Sequence, residues 1–194
     1  MKKLTLILGA VVAAVVLSAA SQKPKNTANE VRMNFMYTRQ SIYASNQYAV
    51  WVENEKGKLV KSLQVTSFTT KGRARNAEPL IRGYIKRPLS LPTWVRRAHP
   101  DDLTDEQLDA FTVATPAANG MQQAVWDLTD NNGKRVPAGK YCIVLEATLF
   151  QESTVYYRAW FTTDDRGEIS VERTITLANE EREGMITNVS ARIK

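Results

Sequence analysis

The segment from Trp126 to Tyr141 reads Trp-Asp-Leu-Thr-Asp-Asn-Asn-Gly-Lys-Arg-Val-Pro-Ala-Gly-Lys-Tyr, and it restricts the fold more than any other stretch of the chain. Asn132-Gly133 supplies the left-handed residues of a tight turn, and Pro137 with Gly139 supplies a second bend. Gln122 to Trp126 leads in, and Tyr141 to Ala147 is a β-rich run leading out. The pattern predicts two antiparallel strands joined by a polar, doubly bent connection. A β-rich fold follows.

Period-two alternation extends that expectation along the chain. Val31, Met33, Phe35 and Tyr37 alternate with Arg32, Asn34 and Met36. Tyr48 to Val52 is a denser apolar run, followed by a hairpin turn at Glu53 to Lys58 and a returning strand from Leu59 to Phe68. Val155 to Phe161 is closed by Asp164-Asp165-Arg166-Gly167, and Ile169 to Leu177 and Met185 to Ile193 complete the set. Short strands separated by glycine turns predict an all-β fold, an Ig/fibronectin-III-like antiparallel β-sandwich, rather than alternating strands and helices.

Residues 71–115 break the alternation and read as an insertion with short helices. Pro79, Leu80, Ile81, Tyr84 and Ile85 would share one face of a helix beginning at Pro79, ended by Pro88 and Pro92 ahead of Trp94. Thr104-Asp105-Glu106-Gln107 is a capping-box signature for a second helix through Leu108 and Phe111. Loops of that length usually have a job or are disordered, and the apolar content favours order.

The N-terminus bears on compartment. Met1-Lys2-Lys3 is a cationic start, Leu4 to Leu17 is almost unbroken apolar, and Ser18-Ala19-Ala20 offers small residues to signal peptidase. Residues 1–20 therefore read as a secretory signal cleaved after Ala20. The apolar run is shorter than the roughly 20 residues a membrane span needs. No cysteine near the site supports a lipid anchor. Residues 21–29 read as a disordered leader and 30–194 as one sandwich domain, periplasmic or secreted and not membrane-embedded once cleaved.

Charge and chemistry narrow the function classes. The formal charge of +6 becomes +4 when Lys2 and Lys3 leave (6 − 2). The surplus is densest at Lys71, Arg73 and Arg75 and at Lys86, Arg87, Arg96 and Arg97. Such a face suits an anionic partner, but no aromatic ladder accompanies it, and no nucleic-acid role is expected. Cys142 stands alone on an apolar strand, so it reads as a buried thiol rather than a nucleophile or half of a disulfide. His99 is the only histidine, too little for a metal site or a triad without help. Asp127, Asp130, Asn131 and Asn132 fail the EF-hand pattern, because Leu128 stands five residues before Gly133, and turn chemistry explains them. Trp94, Trp126 and Trp160 are expected in the sandwich core, an exposed aromatic shelf for carbohydrate being the other use of such rings.

The order W-D-x-x-D-x-x-G-x-x-V-P-A-G-x-Y, running into the strand at Glu146, resembles the Ig-like repeat of flagellar hook-capping proteins. Together with Ala49-Val50-Trp51-Val52-Glu53, a tryptophan-containing middle and Asp109-Ala110-Phe111-Thr112-Val113-Ala114-Thr115-Pro116, it more closely resembles domain of unknown function 2271, a family of predicted periplasmic proteins. The resemblance spans Val31 to Thr163 and implies an exported β-sandwich. The octapeptide is similar to the acceptor motif of exported flavin transferases, which attach FMN through its phosphate to the last threonine. That likeness implies Thr115 as acceptor, with Asp109, Thr112 and Ala114 as recognition residues, and a flavin transferase or a PepSY-type membrane protein as partners. The motif's usual glycine is Val113 here.

The expected function is accordingly that of a non-enzymatic exported β-sandwich. It would bind a protein partner as an accessory of an extracytoplasmic redox or metal-uptake system. A covalent FMN carrier modified at Thr115 and a carbohydrate- or surface-binding module are the alternatives. The residues by themselves call for no cofactor and no metal.

Overall fold

Val31, Met33, Phe35 and Tyr37 are buried while their neighbours are half-buried, the expected result for a strand with one face on a core. In the computed structural model, which describes residues 30–40, 46–73, 80–150, 153–176 and 184–194, that strand is β1 (Val31–Tyr37). It lies in a four-stranded sheet between β5 (Gly120–Trp126) and β10 (Ile186–Ile193), with β8 (Gly167–Ile169) beyond β10. The second sheet has six strands. In spatial order they are β4 (Thr112–Val113), β3 (Leu59–Thr66), β2 (Gln47–Asn54), β6 (Lys140–Phe150), β7 (Ser153–Thr162) and β9 (Val171–Thr176). All pairings are antiparallel except the short β3–β4 pair. The protein is an all-β sandwich.

The dense apolar run of β2 has a physical cause. Seven of its eight residues are buried, because the strand is covered on both faces. Tyr48, Val50 and Val52 face the first sheet with Ile143, Leu145 and Ala147 of β6. Ala49 and Trp51 face the other way with Cys142 and Val144 of β6. They meet Leu91, Trp94, Leu108 and Phe111 from the insertion. The molecule thus has three layers, with the insertion roofing the outer face of the six-stranded sheet.

The insertion consists of α1 (Ser67–Lys71), α2 (Gly83–Lys86), α3 (Pro92–Ala98), a 3₁₀ turn at Pro100–Asp102 and α4 (Asp105–Asp109). The capping box forms as read: the Gln107 backbone N–H donates to Thr104 Oγ1 at 3.2 Å, and the Thr104 N–H donates to Gln107 Oε1 at 2.9 Å. The other boundaries differ. The strand read to Phe68 stops at Thr66, where α1 begins. Helix α2 starts at Gly83, with Leu80, Ile81 and Ile85 exposed, while the proposed start at Pro79 lies outside the described residues. Pro92 opens α3 at its first position instead of ending a helix, since proline's fixed φ suits that place.

The largest correction concerns the Trp126–Tyr141 connection. Strands β5 and β6 are in different sheets, so the connection is an arch across the sandwich and not the loop of a paired hairpin. A miniature hairpin sits inside it, bridged at Thr129 and Arg135 and closed by the Gly133 turn at φ 75°. Turn residues dictate the local reversal; which sheet receives the next strand depends on where the flanking side chains bury. Leu128, buried at φ 57°, and Trp126, whose indole N–H donates to the Thr129 carbonyl at 2.8 Å, pull the chain inward at the crossing. Lys61 of β3 clamps the arch to the second sheet, donating from Nζ to Asp127 Oδ1 at 2.9 Å and to the Thr129 hydroxyl at 2.5 Å. The run from Ile169 onward likewise splits at Ser170 between β8 and β9, one in each sheet.

The tryptophans separate by environment. Trp126 is in the core between the sheets, and Trp94 is buried under the insertion instead. Trp160 is on the surface, 36% exposed, with Lys140 Nζ 5.3 Å from its ring centroid. The residues read as signal and leader, 1–20 and 21–29, lie outside the described residues.

Candidate functional site

The insertion returns to the second sheet through β4 and leaves for the first sheet through an irregular connection, residues 114–119, that carries the last three residues of the acceptor-like motif. Each motif residue has a defined place. Asp109, at the end of α4, pairs with Lys71 Nζ at 2.6 Å. The Thr112 hydroxyl lies 2.7 Å from the Leu108 carbonyl and 2.9 Å from the Thr70 hydroxyl, tying β4 back to the insertion. Val113 stands opposite Thr66 in the parallel pair and packs against the core between the sheets. A β-branched residue suits that strand position, and a glycine would forfeit the packing.

Ala114 is exposed and Thr115 half-buried, and Thr115 Oγ1 accepts a hydrogen bond from Gln47 Nε2 at 3.3 Å. Arg39, just past β1, grips the connection twice: its backbone N–H donates to Asn119 Oδ1 and its Nη1 to the Pro116 carbonyl, both at 2.8 Å. Asn46, at φ 56°, closes the same end by accepting from Tyr37 Oη at 3.1 Å and from the Gln40 N–H at 2.8 Å. Burial pushes the Tyr37 phenol up, against the pull of the Arg39 charge and hydrogen bond. The motif's four residues therefore run from the end of α4 through β4 into the connection, where Ala114 and Thr115 open it. Thr115 stands between the amide of Gln47 and the guanidinium-bound carbonyl of Pro116.

Glu146 was missed by the sequence reading. It is fully buried on β6 and accepts from the backbone N–H groups of Thr93 at 3.0 Å and Trp94 at 2.8 Å, and from Tyr156 Oη at 2.9 Å. Burial raises its pKa, opposed by those hydrogen bonds. The carboxylate satisfies the open N–H groups of the first turn of α3 and so holds the insertion onto the sheet. Glu53 does related work nearby, accepting from Trp51 Nε1 at 2.9 Å with Arg97 Nε at 3.3 Å. A lone glutamate inside the apolar run Val144-Leu145-Glu146-Ala147 was the available signal.

Other singled-out side chains have structural positions. Burial pushes the Cys142 thiol up to about 12, so the thiolate is disfavoured. His99 is an exposed residue at φ 45° that ends α3. Among the described residues no group of three or more histidine, cysteine, aspartate or glutamate side chains could hold a metal ion. Asp127 is partly desolvated, which acts to raise its pKa. Hydrogen bonds from Thr129 and Lys61 outweigh that and bring it to about 2. No helix among the described residues is long and apolar enough to cross a membrane.

A family model described as "Predicted periplasmic protein (DUF2271)" matches residues 28–176, from just before β1 to the end of β9. The chain belongs to this family. The match covers β1 to β9, the insertion and the 114–119 connection, and β10 lies beyond it. No curated protein and no solved structure matches the chain.

Proposed function

We propose that this DUF2271 protein is a non-enzymatic accessory of an extracytoplasmic redox or metal-uptake system and binds its protein partner through the 114–119 connection. The observation that carries this reading is the way that connection is held. Arg39 and Gln47 fix it to two strands, while Ala114, Ala117, Ala118 and Asn119 remain exposed. Small side chains on a rigidly supported loop leave main-chain groups open to a partner, an arrangement common to binding loops on β scaffolds. The family's periplasmic description supports an extracytoplasmic setting. A photo-crosslinking residue in place of Ala114 tests the reading in the exported protein. An adduct with an integral membrane component of such a system is expected, and its absence overturns the reading.

A second reading, a covalent FMN carrier, is favoured by Thr115 itself. Its hydroxyl has a hydrogen-bond donor in Gln47, and Arg39 supplies a cation one residue further along for a phosphate. The flavin would supply electron transfer; this chain would contribute the ester oxygen of Thr115 and the charge of Arg39. Val113, fixed in β4, removes the flexibility that a glycine gives the acceptor loop. Intact mass of the natively exported protein discriminates: one FMN, lost in Thr115→Ala, supports the carrier, and an unmodified mass in a host with an active flavin transferase excludes it. For the carbohydrate-binding alternative, Trp94 and Trp126 are buried and Trp160 is the one of the three rings at the surface.

A further inference from the structure

The segment from Leu80 to Leu89 exposes Leu80, Ile81, Ile85 and Leu89 at 60%, 39%, 56% and 45%. Its charged residues are all basic, Arg82, Lys86 and Arg87; in the sequence Glu78 stands two positions before it and the exposed Arg73 seven. We infer that this segment docks the protein on an anionic phospholipid surface, its aliphatic side chains at the headgroup–acyl boundary and the exposed Lys86 and Arg87 among the lipid phosphates. The inference uses none of the residues of the 114–119 connection and stands or falls apart from it.

The aliphatic exposure is built into the fold. Gly83 approaches the Phe68 carbonyl so closely that a Cβ would sit 1.7 Å from its oxygen. Tyr84 is buried, with its hydroxyl donating to Asp101 Oδ1 at 2.6 Å. Arg82 donates to the Pro100 carbonyl at 2.9 Å and to Asp105 Oδ1 at 3.1 Å, so it serves as an internal strut. With Gly83 and Tyr84 fixed inward, the segment holds Ile85, Lys86, Arg87 and Leu89 outward. Arg87 also lies over the Phe68 ring, 5.3 Å from its centroid.

The chemistry favours lipid over a protein partner. Exposed leucine and isoleucine interspersed with lysine and arginine is the composition of an interfacial membrane element, in which apolar burial and attraction to anionic lipid act together. Protein interfaces favour aromatic, methionine and arginine residues and are depleted in lysine, whereas the outward apolar residues here are all aliphatic and Lys86 stands among them. Among the described residues, the Asp101 and Asp105 carboxylates beside the segment are engaged by Tyr84 and Arg82.

The test is co-sedimentation of the natively exported protein with vesicles. One set contains phosphatidylglycerol in phosphatidylethanolamine, and the other is phosphatidylcholine alone. Binding to the first set, weakened by salt and much weaker on the second, is the expected result. Ile85→Ser with Leu89→Ser is expected to reduce binding by about tenfold or more. Lys86→Gln with Arg87→Gln should abolish the preference for anionic vesicles. Unfolding curves of each variant check that the fold persists. Equal binding to both vesicle types, or full binding by the Ile85→Ser/Leu89→Ser variant, overturns the inference. So does binding only to vesicles that contain envelope proteins, which would mark the segment as a protein-docking site.

Discussion

Replacing Glu146 with alanine should loosen the insertion from the sheet, and the structure sets the size of the effect. The substitution removes the acceptor of two backbone N–H groups, those of Thr93 and Trp94, and of one phenol, Tyr156 Oη. The phenol keeps a partner in the Thr93 hydroxyl at 2.7 Å, so the main loss falls on the two N–H groups. An unsatisfied buried donor costs about 1–3 kcal/mol, and losing a buried carboxylate returns part of that, which leaves a net loss of about 2–4 kcal/mol. Glu146→Gln keeps one acceptor oxygen but turns an amide NH₂ toward the other donors, for about 1–2 kcal/mol. Tyr156→Phe removes the hydrogen bonds to Glu146 and to the Thr93 hydroxyl and should cost about 1–2 kcal/mol. Urea unfolding followed by tryptophan fluorescence reads all three. The pH dependence has a definite sign. Burial raises the Glu146 pKa, so the native state holds its proton more tightly than the unfolded chain. The stability this residue contributes is greatest below the ordinary carboxylate range and falls as pH rises through the raised value. The Glu146→Gln deficit should therefore shrink as pH rises. An unchanged midpoint in Glu146→Ala, or a Tyr156→Phe loss as large as the alanine's, would refute the capping role.

Three further outcomes follow from the same geometry. Lys61→Ala should destabilise the arch by about 0.5–1.5 kcal/mol. It should also flatten the acid limb: Asp127, held near 2, contributes stability above the ordinary carboxylate pKa and loses it as pH falls through about 2, as pH-dependent unfolding of both proteins will show. Gly83→Ala should cost more than Gly133→Ala in thermal unfolding, because the first Cβ meets the Phe68 carbonyl at 1.7 Å whereas the second meets nothing within 4 Å and bears only the strain of φ 75°. Cys142 should resist thiol reagents in the native protein and react only at the rate of unfolding, which a reagent titration with and without denaturant will measure.

Strand positions were legible because burial on one face imposes period two, as in β1, and the capping box of α4 was legible because its two partners are three residues apart. The assignment of strands to sheets was not. Asn132-Gly133 looks the same whether the strands on either side pair with each other or diverge, and here they diverge. The doubled burial of β2 was visible as a solid apolar run, yet its cause, a roof of helices, depends on contacts distant in sequence. Glu146 joins residues more than fifty positions upstream, so its hydrogen bonds left only the oddity of a charge in an apolar strand. At the candidate site the motif Asp109 to Thr115 was readable, but Arg39 and Gln47 were not. They reach it only because the end of β1 and the start of β2 lie beside the connection.

The central claim is that residues 114–119 form the surface that meets a partner, and crosslinking from defined positions addresses it most directly. Photo-reactive residues placed singly at Ala114, Asn119 and, as a control on β9, Glu172 should behave differently in the intact envelope. The account predicts adducts with the same integral membrane component from Ala114 and Asn119, weakened by Arg39→Ala, and none from Glu172. Adducts from Glu172 alone, or equal labelling from all three positions, would contradict it.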